Sequence, residues 1–90
     1  MNKKAIATII NSVVITMNDG RPSEKAINLS DSSQLIGTDS VLDSLDLFMF
    51  VVELESQLKM ADKNVDVMKI IETAIIENQD IELIDLISKL

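Results

Sequence analysis

The stretch 42–58 is the most constraining feature of this sequence, because a helix-start signal is followed by a long, strongly apolar run. Asp43 is a good N-cap residue, since its carboxylate can accept from backbone N–H groups of the first turn. Asp46 follows three residues later, where a capping box places Glu or Gln. Ser44 then falls at the first helical position. We therefore predict a helix whose N-terminus, the positive end of the helix dipole, presents an exposed serine hydroxyl.

The apolar residues of this helix fall into two stripes when they are placed at about 100° per residue. The first stripe has the spacing i, i+3, i+4, i+7, i+11 and is predicted to face a core: Leu47, Phe50, Val51, Leu54 and Leu58. The second, which we call the outer stripe, lies on another side of the helix: Leu45, Phe48, Met49 and Val52. Burial of the helix on most of its circumference explains both stripes. The alternative is that the outer stripe borders a pocket or docking surface beside Ser44.

The residues around Ser44 resemble the modification motif of acyl carrier proteins. Asp43-Ser44-Leu45 follows an acidic loop and precedes Asp-Leu and then Val-Val-Glu-Leu-Glu, at the start of a predicted second helix. In that family the serine of this motif carries 4'-phosphopantetheine through a phosphodiester, and the arm's thiol holds acyl or aminoacyl groups as thioesters. The resemblance implies that Ser44 is the attachment site. It also implies delivery of these intermediates to enzymes of a fatty-acid, polyketide or other specialised biosynthetic pathway.

The resemblance further implies partners and roles for the residues near Ser44. The partners are a phosphopantetheinyl transferase, an acyl- or aminoacyl-loading enzyme and downstream synthases. The residues expected to meet them are Asp43, Leu45, Asp46, Met49, Glu53 and Glu55. Helix capping alone is the alternative for the two aspartates, and a solvated face is the alternative for the two glutamates. Met49 stands where fatty-acid carriers are usually acidic, which favours a partner surface more apolar than usual.

Phe48 and Val52 are the candidate acyl pocket, with core packing as the rival explanation. No catalytic residue is expected, because Ser44 has no nearby histidine or lysine to activate it. The chain contains no histidine and no cysteine, so His-based metal sites and thiol nucleophiles are excluded. These absences predict that the protein is not an enzyme, and the resemblance implies that it is a carrier.

The composition limits the remaining classes of function. The net charge of −7 argues against nucleic-acid binding, which needs clustered Lys and Arg. No run of about 18 apolar residues is present, so no membrane span is predicted. We expect a cytoplasmic monomer. Acidic residues of the first long loop, Asp31 and Asp39 with Asp43, invite a calcium site, but the pattern of an EF-hand loop is missing; solvated loop charge is the better interpretation.

The helical pattern predicts one all-α domain over residues 1–90 with four helices, and the resemblance implies a four-helix bundle of the acyl-carrier-protein type. The helices are expected at about 3–17, 43–59, 66–77 and 80–90, with Asn78, Gln79 or Asp80 capping the last. The long connection between the first two helices is expected to be anchored by Ile27, Leu29, Leu35 and Ile36. Carriers usually have a glycine where Lys59 stands, so the exit from the second helix is expected to be built differently.

Two other functions remain open from the sequence. One is a helical protein-interaction module that has a carrier-like fold but is never modified. The other is a small binder of lipids or other apolar ligands that uses the outer stripe.

Overall fold

The protein is mostly helical. A computed structural model describes residues 2–30, 32–36, 42–77 and 79–90. Within them lie four α-helices: α1 (Lys3–Asn18), α2 (Ser44–Met60), α3 (Val67–Ile76) and α4 (Leu83–Lys89). A 3-10 turn at Ser23–Lys25 follows α1, and two short strands, β1 (Gln34–Ile36) and β2 (Ile81–Glu82), pair antiparallel. The predicted all-α class is borne out in its main part, since the described chain is mostly helical with four helices; the small two-stranded sheet was not predicted.

The side chain of Asn2 begins α1 by accepting from the N–H of Ala5 at 2.8 Å. The apolar spacing then turns one face inward, as predicted. Its buried members are Ile6, Ile10, Val13 and Met17. The helix ends at Asn18, and two residues later Gly20 adopts φ +82°, a left-handed conformation that glycine takes without steric cost.

The centre of the core is the first stripe of α2. Phe50, Val51, Leu54 and Leu58 are fully buried, and Leu47 packs against them from a partly buried position. The helix α1 packs on α2 and on α4, and α3 packs on α2. The prediction that this stripe faces a core is therefore confirmed.

The long connection between α1 and α2 is held to the bundle by apolar side chains and by hydrogen bonds from the side chain of Asn18. Ile27 and Leu35 are buried, and Leu29 and Ile36 are partly buried against the core, as predicted. The side-chain amide of Asn18 accepts from the N–H of Ile27 at 2.7 Å and donates to its carbonyl at 2.9 Å. These contacts return the connection to the end of α1 directly after the 3-10 turn.

The last helix begins at Leu83, later than the predicted start at residue 80. Ile81 and Glu82 are extended because their backbone pairs with β1, and the N–H of Leu83 donates to the carbonyl of Ser33 at 2.9 Å. Glu82 and Asp85 then form a reciprocal capping box. The prediction that residue 79 or 80 caps this helix was therefore wrong, and Asn78 lies outside the described residues.

Candidate functional site

Ser44 is exposed at the first turn of α2, where the sequence placed it. Asp43 is the N-cap: its carboxylate accepts from the N–H of Asp46 at 2.7 Å, and its carbonyl accepts from Leu47 at 2.9 Å. Within the described chain, the N–H groups of Ser44 and Leu45 have no acceptor. The hydroxyl therefore lies in solvent, next to two free N–H donors at the positive end of the helix.

Asp46 connects the start of α2 to the end of α1. Its carboxylate accepts from Nη2 of Arg21 at 2.7 Å, and Nε of the same arginine donates to the carbonyl of Met17 at 2.9 Å. Both side chains of the ion pair are mostly covered, at 25% and 20% exposure. The carboxylate of Asp46 therefore binds Arg21. It does not accept from the backbone N–H of Asp43, which would be the second bond of a capping box. Sequence reasoning missed Arg21 because 25 residues separate the partners.

The two glutamates of α2 also have partners inside the protein. Oε1 of Glu55 accepts from the N–H of Met68 at 2.9 Å, so it caps the second position of α3. Asp66 caps the third position by accepting from Lys69 at 3.0 Å. Glu53 accepts from the amide of Gln57 one turn later at 3.0 Å. Each of these carboxylates is partly occupied by an intramolecular contact.

The outer stripe is exposed along its whole length. The exposed fractions are 66% for Leu45, 55% for Phe48, 43% for Met49 and 48% for Val52. Core packing is therefore wrong as an explanation of Phe48 and Val52. A contiguous exposed apolar surface beside a presented hydroxyl is typical of an interaction site.

An open hollow of about 380 Å³ also borders Ser44. Its walls come from the long connection, from the start of α2 and from the end of α3: Leu35, Ile36, Leu42, Asp43, Ser44, Leu47 and Ile75. Phe48 and Val52 are outside these walls, so the structure does not bring the candidate acyl pocket residues to this hollow.

Ile75 stands one turn after Ile71, which is the spacing of an inner-face residue, but it is more than half exposed, whereas Val67, Ile71 and Ala74 of α3 are buried. It lines the hollow instead. The apolar pair Leu35-Ile36 within a polar loop could have indicated the hollow from the sequence. The pair was predicted only to anchor the loop to the bundle.

The described parts of the chain, with the gaps given above, contain no helix able to cross a membrane. They also contain no cluster of three or more acidic side chains arranged to hold a metal ion. Asp31 and Asp39, the acidic residues considered for calcium, lie outside the described residues.

Comparison of the chain with protein-family models, with curated proteins and with solved structures gave no match. The geometry around Ser44 and the motif that contains it are therefore the basis of the functional proposal.

Proposed function

We propose that this protein is an acyl carrier protein whose Ser44 carries a covalent 4'-phosphopantetheine arm. The observation that supports this most is the exposed hydroxyl of Ser44 at the first position of α2, within Asp-Ser-Leu and directly after the N-cap. A phosphopantetheinyl transferase would join this oxygen to the phosphate of the arm, with the nucleotide part of coenzyme A as leaving group. The acyl or aminoacyl cargo would then be held as a thioester on the arm.

The start of α2 suits a phosphate ester. The free N–H groups of Ser44 and Leu45 can donate to phosphate oxygens, and the helix dipole favours a negative charge there. The carboxylate of Asp43 is close and repels it, whereas the charge of Asp46 is paired with Arg21. The balance favours an arm that is anchored at the helix end and extends into solvent.

A carrier of this kind contributes presentation, while the thioester chemistry belongs to the arm. The hollow beside Ser44 adds a place for cargo, because most of its walls are aliphatic. A short acyl chain that folds back from the arm would be partly shielded from water there. Loading and release would be carried out by partner enzymes.

The experiment uses the absence of cysteine from the chain. The purified protein is incubated with coenzyme A and a broad-specificity phosphopantetheinyl transferase, and then titrated with a thiol reagent and weighed by mass spectrometry. We expect one thiol per chain and a mass gain of one phosphopantetheinyl group. Ser44→Ala should abolish both, whereas Ser56→Ala, at an exposed serine further along α2, should leave both unchanged. No thiol on the wild type, or a thiol that survives in Ser44→Ala, would refute the proposal.

The second candidate is a helical interaction module that is never modified. The exposed outer stripe favours it, since such a surface can bind a partner without any arm. This candidate predicts partner binding that Ser44→Ala leaves unchanged and that substitution of Met49 or Glu53 weakens. The thiol titration separates the two functions.

A further inference from the structure

A second hollow lies on a part of the surface that the carrier proposal does not use. It is formed by α1, the long connection and α4, and its volume is about 270 Å³. It shares no lining residue with the hollow beside Ser44 and is more enclosed than that hollow. We call it the α1–α4 hollow; its described lining includes Ile10, Asn11, Asn28, Ser30, Leu83 and Ile87.

The floor of the α1–α4 hollow is aliphatic. Ile10, Leu83 and Ile87 belong to the core and are each at most 5% exposed, yet each forms part of the wall of the hollow. The partly buried side chains of Val14 and Leu29 complete this apolar surface. A short hydrocarbon chain placed there would exchange water for apolar contact, which is favourable.

The polar groups of the α1–α4 hollow are two amides and one hydroxyl. Asn11 belongs to α1 and Asn28 to the long connection, so two different walls each supply an exposed amide. Within the described chain neither amide has a hydrogen bond, and each has two N–H donors and one carbonyl acceptor. The hydroxyl of Ser30, in contrast, lies 3.2 Å from that of Ser33. The two asparagine side chains are therefore the groups that are available to a ligand.

None of the described lining residues of the α1–α4 hollow is charged, although Asp, Glu, Lys and Arg make up 26% of the chain. A carboxylate or an ammonium group would lose hydration in this hollow without gaining a counter-ion, which is costly. The net charge of −7 adds a long-range repulsion for anions. The chemistry of the walls therefore favours an uncharged ligand.

The wall that the long connection contributes is fixed by hydrogen bonds at both ends. At one end the side chain of Asn18 holds the N–H and the carbonyl of Ile27, at 2.7 and 2.9 Å. At the other end the N–H of Ser30 donates to the hydroxyl of Ser33 at 2.9 Å, and the carbonyl of Ser33 accepts from Leu83 at 2.9 Å. The hollow therefore exists without a ligand, and binding does not have to order its wall.

We propose that the α1–α4 hollow binds a small uncharged molecule with a short aliphatic body and an amide head. The body would lie on the aliphatic floor. The head would exchange hydrogen bonds with Asn11 and Asn28, because an amide both donates and accepts. The volume is below the roughly 300–1,000 Å³ of pockets for drug-sized ligands, so the ligand is small. This site is independent of the proposed carrier function, because it does not use Ser44.

Hexanamide is the probe, and hexanoate and hexylammonium are charged probes of the same length. Each is titrated into isotope-labelled protein at neutral pH, and binding is followed by the chemical shifts of the amide groups. Hexanamide should bind with a Kd on the order of 1 mM, as expected for so small a ligand, and should shift the signals of Asn11, Asn28 and Leu29. The charged probes should bind at least about tenfold more weakly. Because a ligand of the native state stabilises it, the Tm should rise with hexanamide concentration.

Two pairs of variants locate the site. Asn28→Ala should weaken hexanamide binding about fivefold through a lost hydrogen bond, whereas Asn64→Ala, at an exposed asparagine outside the hollow, should leave it unchanged. Ala7 is an exposed lining residue, so Ala7→Leu should fill part of the hollow and raise the Kd at least about tenfold, while Ala7→Ser should stay within about twofold. Ser44→Ala should bind as the wild type does. Urea unfolding checks that each variant is folded.

Three results would overturn the inference. The first is no change of shifts or Tm with about 20 mM hexanamide, well above the expected Kd. The second is hexanoate or hexylammonium that binds as tightly as hexanamide. The third is wild-type affinity in both Asn28→Ala and Ala7→Leu, or shifts that are confined to the hollow beside Ser44, at Leu47 and Ile75. Failure of Ser44 to accept an arm would refute the carrier function and leave this site unaffected.

Discussion

The C-terminus of α2 closes in a Schellman motif without a glycine. The N–H of Lys63 donates to the carbonyl of Leu58 at 2.9 Å, and the N–H of Asp62 donates to that of Lys59 at 3.0 Å; these are the two bonds that define the motif. They place Asp62 at φ 62°, in the left-handed region. A side chain with a Cβ costs roughly 1–2 kcal/mol there, although Asp tolerates the conformation better than most residues.

Replacing Asp62 with Gly should therefore stabilise the protein. The substitution removes the left-handed penalty, while the greater freedom of glycine in the unfolded chain costs about 0.5–1 kcal/mol. The net gain should be about 0.5–1 kcal/mol. Because 1 kcal/mol shifts the Tm of a domain of this size by about 4–8 °C, the Tm should rise by several degrees.

Asp19→Gly is the matched control. Asp19 also follows the C-terminus of a helix and is also exposed, but its φ is −60°, so glycine relieves nothing there. The same negative charge is lost in both variants, and within the described residues neither carboxylate has a hydrogen bond or an ion pair. Asp19→Gly should lose the roughly 0.5–1 kcal/mol of glycine entropy, which leaves about 1–2 kcal/mol between the two variants.

Urea unfolding followed by far-UV circular dichroism measures both values, since the chain has neither tryptophan nor tyrosine for fluorescence. A third variant, Asp62→Asn, removes the charge and keeps tolerance of the left-handed conformation. If Asp62→Gly and Asp19→Gly change the free energy of unfolding by the same amount and sign, or if Asp62→Asn reproduces the whole gain, then charge and not φ is responsible and the reasoning fails.

Three further substitutions test the contacts that hold the site in place. Asn18→Ala should cost about 2 kcal/mol, because two backbone groups of the long connection lose their partner; Asn11→Ala, at an exposed asparagine of the same helix, should cost less than about 0.5 kcal/mol in the same urea titration. Phe50→Ala should cost roughly 3–5 kcal/mol because the ring is fully buried, whereas Phe48→Ala should cost under about 1 kcal/mol; similar losses would contradict the division of α2 into a core stripe and an outer stripe. Glu55→Ala should cost about 1 kcal/mol through the lost cap of α3, and no loss would mean that this carboxylate is free to bind a partner.

The parts of the fold that follow a helical period were predictable from the sequence. The inner face of α1 and the core stripe of α2 each repeat over three turns, so every turn adds independent support for the same orientation. The position of Ser44 was predictable for another reason, since the N-cap bond from Asp43 to Asp46 depends only on residues three apart. Both kinds of signal are local in the chain.

The parts that depend on distant pairing were not predictable. The strands β1 and β2 have three and two residues, too few to show an alternating pattern, and their pairing delays the start of α4. Ile75 has the spacing of an inner residue, yet it is more than half exposed, whereas Val67, Ile71 and Ala74 of the same helix are buried. The hollow beside Ser44 is lined by residues of β1 and by Ile75 of α3, which are far apart in the chain. No single segment of the sequence could therefore indicate it.

The ion pair between Arg21 and Asp46 is a distant contact that holds the locally predictable start of α2. The motif around Ser44 implies that Asp46 is a contact for partner enzymes, yet the structure uses this carboxylate to hold the start of α2 against the end of α1. Arg21 is the only arginine in the chain, and its guanidinium reaches both the carbonyl of Met17 and the carboxylate of Asp46. The start of α2, where Ser44 lies, is therefore held by a contact that also pairs the charge of Asp46. With the charge of Asp46 paired, Asp43 is the acidic residue directly beside Ser44, and the surface that begins at Leu45 is the exposed outer stripe.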